Sequence, residues 1–281
     1  MLGASRRDFA AGAFALGVAL TAPGASAGVL EDTFSKFTVG SSARIDHAVW
    51  TEMLQAYVVA GPDKFNRVRY AAWKAEGRPK LTAYIAILEG VDVAQLDRPE
   101  QFAFWANLYN AKTVDIVLGH YPVKSIKDIS LGGTLLSNIT GGPWKAKVTK
   151  VSGQSLSLDD IEHVILRPLF KDPRVHYAVN CASVGCPNLR REAFTGAALE
   201  TQLDASARDY VNTPRGLRVD AKGKITASSI YTWFQADFGG TVAGVLEHVR
   251  RYADAPLATA LGKATVIDDY AYDWSLNDAT R

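Results

Sequence analysis

Between Pro99 and Leu118 apolar side chains ring the chain on every side: Phe102, Phe104, Trp105, Leu108, Tyr109, Val114, Ile116 and Val117. Pro99 suits a first helical turn and Gly119 follows the end. A helix that is apolar all round does not face water and has to be enclosed by other elements. Two amides interrupt it. Asn107 and Asn110 sit three apart among Ala103, Ala111 and Val114. A buried amide needs hydrogen-bond partners, so the pair is expected to tie down neighbouring backbone. In the competing reading, Asn107 polarises or orients a group of a substrate.

The rest of the pattern supplies the enclosure. Asp46–Ala60 reads as a helix with Val49, Met53 and Ala56 on one stripe, broken by Gly61-Pro62-Asp63. Pro79–Leu88 is a second helix, ending at Gly90. Gly132–Val151 is glycine-rich, with a short strand pair around Val148 and Val151. Ser157-Leu158-Asp159-Asp160 has the form of a capping box and opens a helix to about Arg167, where Pro168 disturbs it. Val175, Tyr177 and Val179 alternate with His176, Ala178 and Asn180, which is strand periodicity. Thr195–Val211 is an amphipathic helix. Leu217–Asp220 and Lys224–Thr226 form a hairpin across Gly223. Helices follow near Ser228–Asp237 and Thr241–Tyr252, then an extended end with Val266, Tyr270 and Tyr272. Helices outnumber strands, and the strands come late. The expected fold is a single α+β domain, with a helix-rich front half packed on a small, mostly antiparallel sheet.

The first residues carry an address. Arg6 and Arg7 precede an apolar stretch from Ala10 to Ala22, and Ala25-Ser26-Ala27 fits the small-x-small rule for cleavage before Gly28. Residues 1–27 therefore read as a twin-arginine signal peptide, handled by the twin-arginine translocase and signal peptidase. The rival readings are a general secretory signal and an uncleaved anchor. The apolar stretch is shorter than the ~20 residues of a spanning helix. The expectation is a periplasmic or secreted domain over residues 28–281, without stable membrane insertion. The chain has 281 residues and a formal net charge of +2, with no basic tract carrying interleaved aromatics. That argues against a nucleic-acid partner and leaves a small molecule or peptide as the expected ligand.

The chemistry concentrates in one segment, His176 to Pro187, which holds both cysteines, Cys181 and Cys186, with Arg190 and Arg191 close behind. Positive charge near a thiol favours the thiolate. Cys181 or Cys186 is thus a candidate nucleophile, with a base elsewhere. Along an extended strand, five steps of ~3.3 Å would place His176 about 16 Å from Cys181 and on the opposite face, unless the chain bends sharply after Asn180. His163 reaches better. It lies opposite the apolar stripe of its helix, facing solvent or a cleft wall, with Asp159 one turn earlier to orient it. The cysteines have two other readings. Two thiols five positions apart in an oxidising compartment bond to each other, or with His163 and His176 they make a four-ligand zinc set, although their spacing matches no standard zinc module. No metal site is assigned. No cofactor is expected, since neither G-x-x-x-x-G-K-[ST] nor G-x-G-x-x-G occurs. The run from Tyr231 to Phe238 reads as core plus a helix end, and Tyr270 to Asn277 as a seal that closes the domain.

Phe104–Ala111, Leu158–Arg167, His176–Pro187, Trp233-Phe234 with Asp237-Phe238, and Tyr272–Asn277 together resemble the family called domain of unknown function 547. The likeness runs from about Ile45 to Asn277 and implies no established reaction. A looser resemblance is to the transglutaminase and papain-like thiol fold, in which a Cys opens the buried helix and a His lies on the following sheet. Pro99–Trp105 holds no Cys, so in that fold His176 would face an empty position.

Two functions follow. One is an exported thiol-dependent hydrolase or transferase, with Cys181 as nucleophile, His163 or His176 as base, and Asn107 or Asn180 orienting groups. The other is a non-catalytic cell-envelope binding protein braced by a Cys181–Cys186 disulfide.

Overall fold

The apolar-all-round helix is the axis on which everything else packs. In a computed structural model, which describes residues 27–131 and 142–280, it spans Arg98–His120. Asp97 caps it by accepting from the Glu100 N–H at 3.0 Å, and Pro99 sits in the first turn. Seventeen of its side chains are buried, from Glu100 through Leu118.

The layers around it come from both sides of the sequence. In chain order the first helices are α1 (Ala27–Phe34), α2 (Ala48–Tyr57), α3 (Arg78–Glu89) and the axis, α4 (Arg98–His120). Between α2 and α3 the chain makes a hairpin, β1 (Val58–Ala60) with β2 (Asn66–Val68), registered Val58 to Val68. The strand β1 takes over the last residues of the expected Asp46–Ala60 helix, where β-branched Val58 and Val59 precede the Gly61 turn. Aromatic rings fill this half: Phe34 meets Trp105 edge-on at 4.9 Å, and Trp50 stacks on Tyr84 at 5.6 Å. A second hairpin, β3 (Thr149–Val151) and β4 (Gln154–Leu156), leads into α5 (Asp160–Leu166), which is wound in wide π-type turns. The expected capping box is present. The Ser157 hydroxyl accepts from the Asp160 N–H at 3.1 Å, and the Asp160 carboxylate accepts from the Ser157 N–H at 2.6 Å. Pro168 does not end the helix, which runs on through Arg167–Phe170.

The second half is built on α6 (Val175–Ala178), α7 (Leu199–Val211), α8 (Ile230–Trp233), α9 (Val242–Tyr252) and α10 (Ala255–Leu261) around one small sheet. In that sheet β5 (Leu217–Val219) pairs antiparallel with β6 (Ile225–Ser228), and β7 (Asp269–Ala271) adds parallel to β6. Tyr177, Tyr210, Tyr231 and Phe238 form its packed centre. The architecture is a single α+β domain, helix-rich at the front.

One expected element is different. Val175–Ala178 is a helical turn, not a strand. The Asp172 carboxylate accepts from the Arg174 N–H at 2.8 Å and starts the turn locally. Val175, His176, Tyr177 and Ala178 are all buried, so their apolar alternation marked no face. Extended backbone begins at Val179, with φ −95° and ψ 134°.

Of the export signal, Arg6, Arg7 and Ala25 lie outside the described residues, and Ala27 is the first residue of α1. Among the described residues no helix is long and apolar enough to cross a membrane. The glycine-rich stretch at 132–141 also lies outside them.

Candidate functional site

The loop from Asn180 to Pro187 is shaped by its own side chains. The Asn180 amide staples it, accepting from the Ala182 N–H at 2.9 Å and donating to the Pro187 carbonyl at 2.6 Å. Ala182 takes a left-handed φ of 60°, a conformation that costs a residue with a Cβ about 1–3 kcal/mol and persists only when the surroundings enforce it. The enforcement comes from the C-terminal segment. Asn277 donates its N–H to the Ala182 carbonyl at 3.1 Å, while Val184 and Gly185 donate to the carbonyls of Ser275 and Asp273, each at 2.8 Å. A Cβ on Gly185 would lie 2.9 Å from the Asp273 nitrogen, so only glycine permits this approach. From behind, Arg215 donates to the Cys186 carbonyl at 2.7 Å. Burial lowers that guanidinium to about 10, which leaves it cationic at neutral pH.

Inside the loop Cys181 and Cys186 are joined in a disulfide, with Cα atoms 6.2 Å apart, and no free cysteine remains among the described residues. The Tyr272 hydroxyl lies 3.2 Å from the Cys181 sulfur and 3.1 Å from that of Cys186. Ser183 donates to the Tyr272 oxygen at 3.1 Å.

The two buried amides of α4 act on backbone. Asn110 donates to the Ala178 carbonyl at 2.9 Å and accepts from the Asn180 N–H at 2.8 Å. Asn107 brackets Phe194 in the same way, at 2.8 and 3.0 Å. Both bonding ends of each amide are occupied, and neither Asn107 nor Asn180 lines the cavity described next. In this structure the Asn107 and Asn180 side chains hold backbone in place.

Beside the disulfide opens a cavity of about 170 Å³. It brings together Cys181, Cys186, His163 and His176, with a wall of Tyr109, Trp144, Trp233, Phe234 and Trp274 and two carboxylates, Asp159 and Glu162. The bend required between His176 and Cys181 is real: the α6 turn ends at Val179 and the chain then turns into the loop. His176 stacks on Phe234 at 4.2 Å, and its Nε2 is 2.7 Å from the Asp237 carboxylate. It stands on a helical turn and faces Asp237, not the empty position that a thiol-protease-like sheet would leave. Burial raises the Asp237 carboxyl, but the hydrogen bonds from His176 and Arg167 outweigh it and hold the group below the usual carboxylate range. His163 lies on the cavity wall, its Nε2 3.9 Å from Asp159 and its Nδ1 3.3 Å from Arg167. Neither imidazole is hydrogen-bonded to a cysteine sulfur; their partners are carboxylates and arginine. Among the described residues no group of three or more His, Cys, Asp and Glu side chains is arranged to hold a metal ion, and the zinc set is not formed.

Burial raises the Asp159 carboxyl, with His163 pulling it the other way. Glu162 is nearly buried, and burial together with the nearby Glu162 carboxylate pushes the Tyr109 hydroxyl well above its usual range. Trp233, 47% exposed, stacks on Trp274 at 5.6 Å. The Tyr231–Phe238 run thus divides: Tyr231 and Phe238 are core, whereas Trp233 and Phe234 line the cavity. Glu162, Asp237, Trp233 and Tyr272 were not singled out for chemistry in the sequence. Acids and tyrosines flanked by aromatics were the available signal. A larger open depression of about 460 Å³, lined by Asn188, Arg190, Arg191 and Asp209 among others, holds none of this chemistry. Two of its own pairs, Arg190–Glu192 and Asn188–Asp209, already satisfy each other.

Residues 93–211 match the model of a family described as a protein of unknown function, DUF547. The match covers α4, α5, the disulfide loop and α7, and so includes Phe104–Ala111, Leu158–Arg167 and His176–Pro187; the Trp233–Phe238 and Tyr272–Asn277 pieces of the resemblance lie outside it. No curated protein and no solved structure matches the chain.

Proposed function

We propose that the protein is a non-catalytic binding protein of the cell envelope whose aromatic cavity takes an organic ammonium group. The observation that carries this is the lining itself: four rings from Trp144, Trp233, Phe234 and Trp274 with two carboxylates in one small cavity. Aromatic faces attract cations by about 0.5–2 kcal/mol per contact, and carboxylates add charge complementarity. At about 170 Å³ the cavity is smaller than the roughly 300–1,000 Å³ of sites for drug-sized ligands. It suits a head group or one basic side chain of a larger molecule.

The disulfide supports this reading over hydrolysis. With its sulfur bonded to Cys186, Cys181 carries no thiolate. A disulfide is also the state expected after export, in keeping with the Arg6-Arg7 signal. Cleavage before Gly28 would leave the buried anchors Leu30 and Phe34 in the mature chain.

The test is a tryptophan-fluorescence titration of the exported protein with ethanolammonium and longer alkylammonium ions. Trp233→Ala should weaken binding about tenfold, as expected for the loss of roughly 1.4 kcal/mol, with unchanged far-UV circular dichroism because the ring is half exposed. Equal affinity in the variant would refute the assignment of the site.

A further inference from the structure

The Cys181–Cys186 disulfide is asymmetric in two respects. Both cysteines line the cavity, but Cys181 is only partly buried, whereas Cys186 is 2% exposed. The Cys186 sulfur is also the better solvated by protein. It accepts from the Cys181 N–H at 2.9 Å and from the Tyr272 hydroxyl at 3.1 Å, and the Ser183 hydroxyl that donates to Tyr272 lies 3.4 Å away. The Cys181 sulfur shares the two hydroxyls, at 3.2 and 3.5 Å, and has no backbone donor of its own. Donors aimed at a sulfur favour its thiolate. In thiol–disulfide exchange the more accessible sulfur is attacked, and the one better able to hold negative charge leaves faster.

We propose that this disulfide oxidises small thiols bearing an ammonium group, with Cys181 as the sulfur attacked and Cys186 as the leaving group. The substrate class rests on the ammonium reading of the cavity; the direction of attack does not. An aminothiol would seat its ammonium between the aromatic wall and the Asp159 and Glu162 carboxylates, which leaves its sulfur beside Cys181. Those carboxylates repel a thiol that carries an acid. The thiolate RS⁻ forms a bond to the Cys181 sulfur as the Cys181–Cys186 bond breaks, and the electron pair goes to the Cys186 sulfur, held by the Cys181 N–H and by the Tyr272 hydroxyl, to which Ser183 donates. A second RS⁻ attacks the substrate sulfur of the mixed disulfide, forms RSSR and releases Cys181 as a thiolate. In sum two RSH become RSSR and the protein disulfide becomes two thiols, so the two protons lost by the substrate are regained by the cysteines; the exchange is stoichiometric, one RSSR per protein disulfide, and not catalytic turnover.

The experiment uses the oxidised wild-type protein with cysteamine, 2-mercaptoethanol and mercaptoacetate. Each rate is corrected for thiolate fraction and divided by that of the same thiol on 2-hydroxyethyl disulfide. The expected order is cysteamine, then mercaptoethanol, then mercaptoacetate, with about tenfold between the first two, the size of one cation–π contact. After a brief pulse, alkylation and peptide mapping should find the thiol adduct on Cys181 and the alkyl group on Cys186. Tyr272→Phe should slow exchange about threefold, since roughly half of a one-unit rise in leaving-group pKa reaches the rate. An adduct on Cys186 overturns the assignment of roles. Equal normalised rates overturn the substrate class and the ammonium reading with it. A protein that still binds alkylammonium ions but is not reduced by any of the three thiols overturns exchange and leaves the binding site standing.

Discussion

Replacing Asn110 with Ala removes one side chain and leaves two buried backbone groups, the Ala178 carbonyl and the Asn180 N–H, without partners. Each such group costs about 1–3 kcal/mol, so the loss should be roughly 2–6 kcal/mol, a large share of the 5–15 kcal/mol typical of a domain. Equilibrium urea unfolding followed by circular dichroism reads it directly as a lower midpoint at unchanged slope. Asn110→Asp refines the test. A neutral carboxyl can donate to the Ala178 carbonyl and still accept from Asn180, whereas a carboxylate can only accept. The folded state therefore raises the pKa of the introduced carboxyl above its unfolded value, near 3.9. Its contribution is fully present below pH ~4 and is lost as pH rises through the folded value. The gap between variant and wild type should widen from acid to neutral pH. A loss below about 0.5 kcal/mol for the alanine variant, the range of an ordinary surface change, or a gap that narrows with rising pH, would refute the view that the α4 amides hold the loop.

Three further outcomes follow from the same contacts. Burial lowers His47 and His248 to about 4 from 6.5. Both folded values lie below the unfolded one, so stability should be full above pH ~6.5 and fall as pH drops toward 4, by at most about 3 kcal/mol per histidine; a flat urea midpoint across that window would contradict this. Gly185→Ala should destabilise the protein by about 1–3 kcal/mol and weaken alkylammonium binding, because the new Cβ pushes on Tyr272 and Asp273; a binding isotherm identical to wild type would show that the 272–274 segment does not shape the cavity. Protonation of Asp159, whose carboxyl burial already raises, should weaken ammonium binding as pH falls, measured in the same titration from pH 7 to 4.

Much of this was legible in the sequence because it was local. The axis helix announced itself by its rings and its proline, although Gly119, read as following its end, lies inside its last turn, and the capping box at Ser157 and Asp160 lies within four residues. The amides of Asn107 and Asn110 were recognisable as buried staples, yet their partners, Phe194 and the Ala178–Asn180 backbone, stand 68 to 87 positions away. Nothing in α4 itself names them. The Val175–Ala178 turn misled for a different reason. Alternation is informative only when one face meets water, and here every residue is buried. The cavity was half visible. His163, His176 and the cysteines form part of its lining, but Trp233 comes from α8 and Trp274 enters only because the C-terminal segment folds back on the disulfide loop.

The central claim is that charge, held among rings, selects the ligand. Choline and 3,3-dimethylbutanol have the same shape and differ in one positive charge. In calorimetric titrations of the oxidised protein at pH 7.5, choline should bind about tenfold more tightly, from a cation–π and charge advantage of roughly 1.4 kcal/mol, and Glu162→Gln should shrink that ratio. Equal affinity for the two, or tighter binding of the alcohol, would contradict the account.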